Sequence, residues 1–251
     1  MTLEIAIVPC LTDNYAYLVK AGGACAVVDP SEPGPVKAAL KARGWRLTHI
    51  LNTHHHLDHT GGNMALKQEF GAMVVGPQKD AGRIPEIDIG VEEDGGWEFS
   101  GMPVRILEVP AHTRGAITFV MDGNAFTGDT LFAMGCGRLF EGDPAMMWAS
   151  LSKLMSLPDS TRIYCGHEYT ENNGRFALTL EPGNKALAAR MNEVRAARAK
   201  GETSMPSTMG LERATNPFLR VGSAEIRKNL GMENAGDVGV FGEIRKQKDR
   251  F

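Results

Sequence analysis

The spacing of apolar residues predicts a region of strands and helices over roughly the first 170 residues of the chain. Short β-rich runs give predicted strands at 5–8, 15–19, 24–28, 48–51, 104–109, 117–121 and 162–164, with a strand-like stretch at 125–127. Helical spacing occurs between some of them, at 35–42 and 63–70, and each of these segments ends at a glycine. Asp143 and Pro144 supply an N-cap and a first helical residue for a further helix.

The last third of the chain follows a different pattern, in which helical spacing continues and no strand pattern is found. Helices are predicted at 184–200, after Ser223 as a capping residue through Leu230, and after Asp237. Leu187, Met191 and Val194 share one face of the first of these helices. The change of pattern predicts two domains, a mixed α/β domain at 1–170 and a smaller all-helical one at 171–251.

Composition narrows the class of protein. Hydrophobic residues make up 43% of the 251 residues and no apolar run approaches the roughly 20 residues of a membrane-spanning helix. The net charge of -3 gives no general attraction to nucleic acid or to an anionic membrane. We therefore expect a soluble protein with neither as a partner.

The cysteines and the first residues indicate a cellular location. The four cysteines lie far apart without a Cys-x-x-Cys pair, which argues against a disulfide scaffold and a thiolate zinc site. Residues 1–8 hold a short apolar stretch with Glu4 and no basic flank, so we predict a first strand and not a signal peptide. Both features favour a cytoplasmic protein.

A dense group of histidines is the strongest chemical signal. Of seven histidines, four lie between residues 54 and 59. Residues two apart after a strand point the same way, so His54 and His56 are placed to chelate one ion, while Asp58 and His59 turn toward a second. A histidine-rich surface loop or scattered structural histidines are the simpler alternatives, but the aspartate at a defined offset favours a metal site.

Three further side chains of metal-binding type follow predicted strands. His112, Asp129 and His167 each lie within about three residues of a strand end, and strand ends at one sheet edge bring such side chains together. Taken singly, the two histidines would be structural and the aspartate a turn residue. Together with the cluster they predict a dinuclear site, and imidazole with carboxylate suits zinc, iron or manganese.

Four sequence blocks, in this order, resemble the metallo-β-lactamase superfamily: T-H-H-H-L-D-H at 53–59, H-T-R-G at 112–115, G-D-T-L-F at 128–132 and C-G-H-E-Y at 165–169. The resemblance implies an α/β fold, the metallo-β-lactamase-like αβ/βα four-layer sandwich, with two divalent metal ions per chain at one edge. Zinc is expected, with iron or manganese as alternatives. The implied ligands are His54, His56 and His112 for one ion, Asp58, His59 and His167 for the other, and Asp129 as the bridge. His49 and His55 are left as ordinary strand and loop histidines.

Within that superfamily the chain resembles the glyoxalase II (hydroxyacylglutathione hydrolase) family over nearly its full length. The resemblance rests on L-T-D-N-Y at 11–15, V-V-D-P at 27–30, G-C-G-R-L-F-E-G at 135–142, E-Y-T-E-N-N at 168–173, E-P-G-N at 181–184, P-S-T at 206–208, T-N-P-F-L-R at 215–220 and R-K-Q-K-D at 245–249. It implies hydrolysis of S-(2-hydroxyacyl)glutathione thioesters, with S-D-lactoylglutathione giving glutathione and D-lactate in methylglyoxal degradation. A small-molecule glutathione thioester is the expected partner, and a monomer is the expected state.

The same resemblance implies which residues contact the glutathione moiety. They are Arg138 and Phe140 after Asp129, Tyr169 and Asn173 after the last metal ligand, and Arg245 and Lys248 in the final helix. A glycine carboxylate requires converging cations, which Arg138, Arg245 and Lys248 supply. A solvated basic helix end is the simpler alternative for 245–250. The resemblance makes 1–170 the catalytic domain and 171–251 the substrate-binding domain.

The expected mechanism uses a water between two cations, which becomes a metal-bridged hydroxide near neutral pH and attacks the thioester carbonyl. Asp58 and Asp129 are the expected catalytic residues. Because a thiol has a pKa near 8.5, the leaving group needs no dedicated general acid.

Three positions depart from the family pattern. Ala116 stands where a second histidine is common, Arg138 where lysine is frequent, and Phe140 where tyrosine is frequent. The first change removes a candidate outer-shell partner of the metal site. Two alternatives are a glutathione persulfide dioxygenase with a single iron, which lacks the helical C-terminal segment, and a non-catalytic metal-binding protein.

Overall fold

Two six-stranded sheets lie face to face, and helices cover the outer surface of each. The computed structural model describes residues 3–251. Apolar positions on both faces of a sheet require a covering layer on both sides, and this explains why the strands of the first sheet are almost fully buried.

The first sheet is built from the N-terminal part of the chain. Its strands, in spatial as well as chain order, are β1 (Glu4–Cys10), β2 (Asn14–Ala21), β3 (Ala24–Val28), β4 (His49–Leu51), β5 (Met73–Pro77) and β6 (Ile89–Val91). The first three strands are antiparallel, and β3 to β6 are parallel. The helices of this part are α1 (Pro33–Arg43), the single turn α2 (Leu57–Thr60) and α3 (Asn63–Phe70).

The second sheet and a short hairpin follow. The strands are β7 (Trp97–Phe99), β8 (Met102–Glu108), β9 (Ile117–Met121), β10 (Asn124–Gly128), the hairpin β11 (Leu131–Phe132) and β12 (Gly135–Cys136), β13 (Arg162–Cys165) and β14 (Ser207–Thr208). The order across the sheet is β14-β13-β10-β9-β8-β7. Helix α4 (Pro144–Leu154) packs on its outer face, and Asp143 caps this helix by accepting from the Met146 N–H at 2.8 Å.

The C-terminal part adds five helices on the same outer face. They are α5 (Thr170–Leu180), α6 (Lys185–Ala199), α7 (Met209–Thr215), α8 (Ala224–Leu230) and α9 (Asp237–Lys248). Phe218, Ile226 and Phe241 share one buried cluster with α4 and the second sheet. A buried ion pair at 2.5 Å, between Arg190 and Glu212, joins α6 to α7.

The central core lies between the sheets. It holds Tyr17 and Leu51 from the first sheet and Phe119 and Phe126 from the second, all at most 2% exposed. Burying a side chain of this size contributes on the order of 1.5–3 kcal/mol relative to leaving it in water. The four layers are thereby held in a fixed relation, which sets the positions of the loops at their edge.

Strand direction determines where those loops meet. Strands β10 and β13 are parallel, and β8 runs in the same direction because it is antiparallel to β9, which is antiparallel to β10. The three strand ends of the second sheet therefore lie at one edge. The loop after β4 reaches the same edge, where the Ile117 N–H donates to the Thr53 carbonyl at 2.9 Å.

The structure confirms the predicted strands of both sheets to within a few residues, and two predictions need correction. The prediction that the last third of the chain contains no strand was wrong, because Ser207 and Thr208 form β14 against β13. A two-residue edge strand has no room for an alternating apolar pattern. Ser223 occupies the N-cap position directly before α8, as predicted. Its hydroxyl, however, donates to Glu181 at 2.5 Å and makes no capping bond. In residues 3–251, no helix is both long and apolar enough to cross a bilayer.

Candidate metal centre and substrate cavity

The seven predicted ligands converge where the strand ends meet. Three groups place their donor atoms within 4.8 Å of one another. Two are the predicted ones, His54, His56 and His112 in one group and Asp58, His59 and His167 in the other, and the third joins Asp29 to His54 and His59. Asp129 lies between the two predicted groups. One of its carboxylate oxygens is 3.4 Å from Nε2 of His59, and the other is 3.5 Å from Nε2 of His112 and 3.3 Å from Nε2 of His167. The geometry thus brings together all seven side chains that the sequence nominated.

The loop after β4 is held by an aspartate that sequence reasoning missed. Asp29, at the end of β3, accepts from the Thr53 N–H at 2.8 Å and from its hydroxyl at 2.6 Å. The same carboxylate is 3.1 Å from Nδ1 of His59. Asp29 lies in V-V-D-P, directly beside the parallel strand β4, and this adjacency of strands was the signal that could have identified it.

Most of the histidines have their outer ring nitrogen fixed by a polar neighbour. Nδ1 of His112 donates to the Arg138 carbonyl at 3.0 Å, and Nδ1 of His167 donates to Asp13 at 2.9 Å. Such contacts fix the tautomer and leave Nε2 free to face a metal. Asn14 holds Asp58 in the same way, since its amide donates to the Asp58 carboxylate at 3.1 Å and to the Asp58 carbonyl at 3.0 Å.

Three buried donor atoms at this centre lack a hydrogen-bond partner: Nε2 of His54, Nε2 of His59 and one carboxylate oxygen of Asp129. An unsatisfied buried polar atom costs about 1–3 kcal/mol, so three atoms facing one point require an explanation. Imidazole nitrogen and carboxylate oxygen are the donors that zinc, iron and manganese accept. The residues therefore fit a centre for divalent metal ions.

The charges at the centre agree with a cation site. Burial lowers the pKa of His54 well below its usual range. Burial opposes ionisation of Asp129, but the charges of His59 and His167 outweigh it and hold the pKa of this carboxyl well below its usual range. Burial also opposes charge on His167, yet Asp129 and Asp58 raise its pKa to about 10. The two carboxylates are anionic and favour positive charge between them.

A cavity of about 540 Å³ opens from the metal-binding residues, within the size range of small-molecule sites. All six predicted substrate residues line it, namely Arg138, Phe140, Tyr169, Asn173, Arg245 and Lys248. The Tyr169 ring stacks on His167 with centroids 4.7 Å apart, and the Phe140 ring lies 5.2 Å from His112. These rings flank the passage between the metal centre and the cationic wall, which is formed by Arg138, Arg245 and Lys248.

The cationic wall is assembled from distant parts of the chain. Arg245 is buried, donating to the Cys136 carbonyl at 2.8 Å and to Asp249 at 2.9 Å. Lys248 lies between the rings of Phe176 and Phe251, at 5.5 and 5.1 Å from their centroids. Burial, with Arg245, Arg175 and Arg138 nearby, lowers the pKa of Lys248 to about 8.

The structure distinguishes two neighbouring asparagines of α5. Asn173, the predicted substrate residue, also lines the cavity, but it is 4% exposed and its amide donates to the Ala133 carbonyl at 3.1 Å. Asn172, which the sequence analysis did not nominate, lines the cavity and contacts Nζ of Lys248. Helical periodicity could have shown this, because Asn173 shares the buried face with Phe176 and Ala177.

The surroundings of Cys136 and Ala116 show what these two positions contribute. Cys136 is buried, and burial raises the pKa of its thiol to about 11, so it is a poor nucleophile. Ala116, where the family commonly has histidine, packs in the apolar cluster beneath α4. The outer nitrogen of His112 is bonded to the Arg138 carbonyl instead, so its orientation does not depend on position 116.

Comparison with known proteins agrees with this geometry. A family model described as the metallo-beta-lactamase superfamily matches residues 11–167, and one described as the hydroxyacylglutathione hydrolase C-terminus matches residues 168–251. Among solved structures, ETHE1 from Myxococcus xanthus aligns with a TM-score of 0.69 at 23% identity, covering 98% of this chain and 90% of that one. The di-iron-bound form of TTHA1623 aligns with a TM-score of 0.62 at 27% identity, covering 86% and 100%. The fold and the site define a metallo-β-lactamase superfamily protein.

Closer relatives identify the family within that superfamily. The hydroxyacylglutathione hydrolase of Methylococcus capsulatus is 51% identical over 253 residues, covering 99% of both chains. The hydroxyacylglutathione hydrolase of Cereibacter sphaeroides is 52% identical over 255 residues, covering 100% of both chains. This chain belongs to the hydroxyacylglutathione hydrolase family, which confirms the family and the fold predicted from the sequence.

Proposed function

We propose that the protein is a thioester hydrolase that converts S-(2-hydroxyacyl)glutathione, with S-D-lactoylglutathione as the physiological substrate, to glutathione and a 2-hydroxy acid. One observation carries the proposal. A single cavity is lined by side chains of metal-binding type, namely His56, Asp58, His112, Asp129 and His167, and by the cations Arg138, Arg245 and Lys248. A glutathione thioester has the matching chemistry, because its acyl carbonyl is carried by the sulfur of the central cysteine and is separated from the glycine carboxylate at one end of the tripeptide.

The proposed cofactor is a pair of divalent ions, with zinc as the first choice. His54, His56 and His112 would hold one ion, Asp58, His59 and His167 the other, and Asp129 would contact both. When bound, such ions lower the pKa of a water molecule and polarise a carbonyl oxygen. We assign Asp58 and Asp129 as catalytic residues, because Asp129 lies beside both donor groups and Asp58, a member of the second group, lines the cavity.

The residues of this chain contribute orientation and charge. Asn14 fixes Asp58 through two hydrogen bonds, so this carboxylate presents one face to an attacking water. Tyr169 and Phe140 restrict the position of the thioester between them, and the three cations fix its carboxylate end. The departing sulfur leaves as a thiolate and takes up a proton from water, because a thiol pKa near 8.5 makes general acid catalysis unnecessary.

The remaining parts of the proposal concern organisation. Residues 1–170 would form the catalytic domain and 171–251 the substrate-binding domain, since α5 supplies Asn172 and α9 supplies Arg245 and Lys248 to the cavity. The four free buried cysteines favour a reducing, cytoplasmic location. A monomer is sufficient, because one chain contributes every residue of the proposed site.

The test is hydrolysis of S-D-lactoylglutathione, followed by loss of thioester absorbance. Zinc-loaded protein should turn the substrate over, a chelator should abolish the rate, and added Zn²⁺ should restore it. Absence of turnover by protein carrying two metal ions per chain would contradict the proposal. Oxygen consumption with glutathione persulfide by protein carrying a single iron would support the dioxygenase instead.

A further inference from the structure

The loop at 138–142 carries two proposed substrate residues and also supports a proposed metal ligand. Its Arg138 carbonyl accepts from Nδ1 of His112 at 3.0 Å. Three residues later, the Glu141 N–H donates to the carbonyl of Ala111 at 3.3 Å. The residue before His112 and the ring of His112 are thus both bonded to this one loop.

Ala111 itself has a strained backbone. Its φ is +134°, a region that residues other than glycine rarely adopt, so surrounding contacts must maintain it. Gly142 packs directly against it, since a Cβ at this position would lie 2.6 Å from Cα of Ala111. The strain at Ala111 sets the direction in which His112 leaves the strand, and the 138–142 loop holds it in place.

The side chain of Glu141 ties this loop to two others. Its carboxylate accepts from Arg83 at 2.6 and 3.1 Å and from the backbone N–H of Arg114 at 2.8 Å. Arg83 also contacts Nε2 of His55, whose Nδ1 is 2.7 Å from Asp80. A continuous polar chain therefore runs from the loop at 138–142 to the residue that lies between His54 and His56.

We propose that Glu141 and Arg83 are positioning residues for the metal centre. The Glu141 carboxylate holds the 138–142 loop through Arg83 and the Arg114 N–H, and the backbone of this loop in turn contacts Ala111 and the ring of His112. Arg83 also joins Glu141 to His55, between two ligands of the same group. Neither residue is among the donor atoms of either group. The inference rests on the proposed function only in that the centre binds metal ions.

The test measures zinc affinity without any substrate. Metal-free Glu141→Gln and Arg83→Gln should each bind Zn²⁺ about tenfold more weakly than the unaltered protein in competition with a chromophoric chelator, the size of effect that outer-shell changes produce. The matched control is Glu93→Gln, which removes a half-exposed carboxylate from an ion pair at 2.7 Å with Lys153, away from the cavity. Its zinc affinity should be unchanged, and the melting temperatures of the metal-free variants should equal that of this control.

The double variant separates a shared role from two separate ones. Because Glu141 and Arg83 share an ion pair, combining Glu141→Gln with Arg83→Gln should weaken zinc binding by less than the product of the two single effects. Unchanged zinc affinity in Arg83→Gln, whose side chain is 45% exposed, would overturn the inference, as would a fully additive double variant. This test is separate from the test of the proposed function. If the unaltered protein binds zinc tightly, Glu141→Gln binds it more weakly and neither hydrolyses the thioester, the function is refuted and the positioning role is not.

Discussion

The two ends of the cavity are built in different ways. At the metal end, four of the seven donors come from the short stretch 53–59, and the remaining three leave the ends of parallel strands. At the cationic end, Arg245 contacts the Cys136 carbonyl across 109 positions of sequence, and the Arg138 side chain is 67% exposed whereas that of Arg245 is 7% exposed. The metal end is thus built from mostly buried side chains, whereas part of the cationic end is open to solvent.

This difference has an energetic consequence. Several donors at the metal end are fixed by a neighbour such as Asp29, Asp13 or Asn14, so binding an ion costs them little side-chain entropy. An exposed arginine such as Arg138 loses rotamer freedom when it binds a carboxylate, which offsets part of the gain. We therefore expect substitutions at the metal end to affect the rate and those at the cationic end to affect KM.

The largest effect is expected for Asp129→Ala. This change removes the carboxylate that faces both donor groups, so metal content should fall and kcat should drop by about 10³-fold or more, at least the loss caused by removing one oxyanion-hole donor. Metal analysis and single-turnover rates would measure it. Asp94→Ala, an exposed acidic residue away from the cavity, is the control. Full metal occupancy with a normal rate in Asp129→Ala would show that the two groups do not share this ligand.

A smaller and different effect is expected for Lys248→Ala. Loss of one charged contact with the glycine carboxylate should raise KM about tenfold and leave kcat and metal content unchanged. Lys246→Ala is a matched control from the same helix, since Lys246 is 59% exposed and is not part of the cavity lining. Equal KM values for the two variants would remove α9 from the substrate site.

The pH dependence of KM should show the same residue. The pKa of Lys248 is lowered to about 8, so the ammonium is charged below this pH and loses its proton above it. Because a neutral amine does not attract a carboxylate, KM should rise as pH increases through about 8 and should stay low at pH 7. In Lys248→Arg the rise should move to much higher pH, and in Lys248→Ala it should vanish. A rise that persists in Lys248→Ala would assign it to another group.

The contrast between the two ends also explains which parts of the site could be predicted from the sequence. The metal ligands were predictable because chelation imposes short spacings such as His54 to His56, and because strand ends at one edge converge. The outer contacts of Asp29, and the chain from Glu141 through Arg83 to His55, depend on which strands and loops are neighbours in space, and no local pattern records this. Strand β14 was missed for a similar reason, since its two residues are defined by pairing with β13.

The smallest effect tests whether Asn172, in place of the predicted Asn173, contacts the substrate. Asn172→Ala removes the side chain that contacts Nζ of Lys248, so KM should rise about threefold with an unchanged melting temperature, consistent with one exposed hydrogen bond of about 0.5–1 kcal/mol. Asn173→Ala removes a buried bond to the Ala133 carbonyl, so the melting temperature should fall by several degrees, roughly 4–8 °C per kcal/mol for a small domain and less for a larger one. Thermal unfolding and steady-state kinetics on both variants would measure the split. A raised KM with normal stability in Asn173→Ala, and no change in Asn172→Ala, would restore the original assignment and show that helical face does not decide which asparagine serves the cationic end.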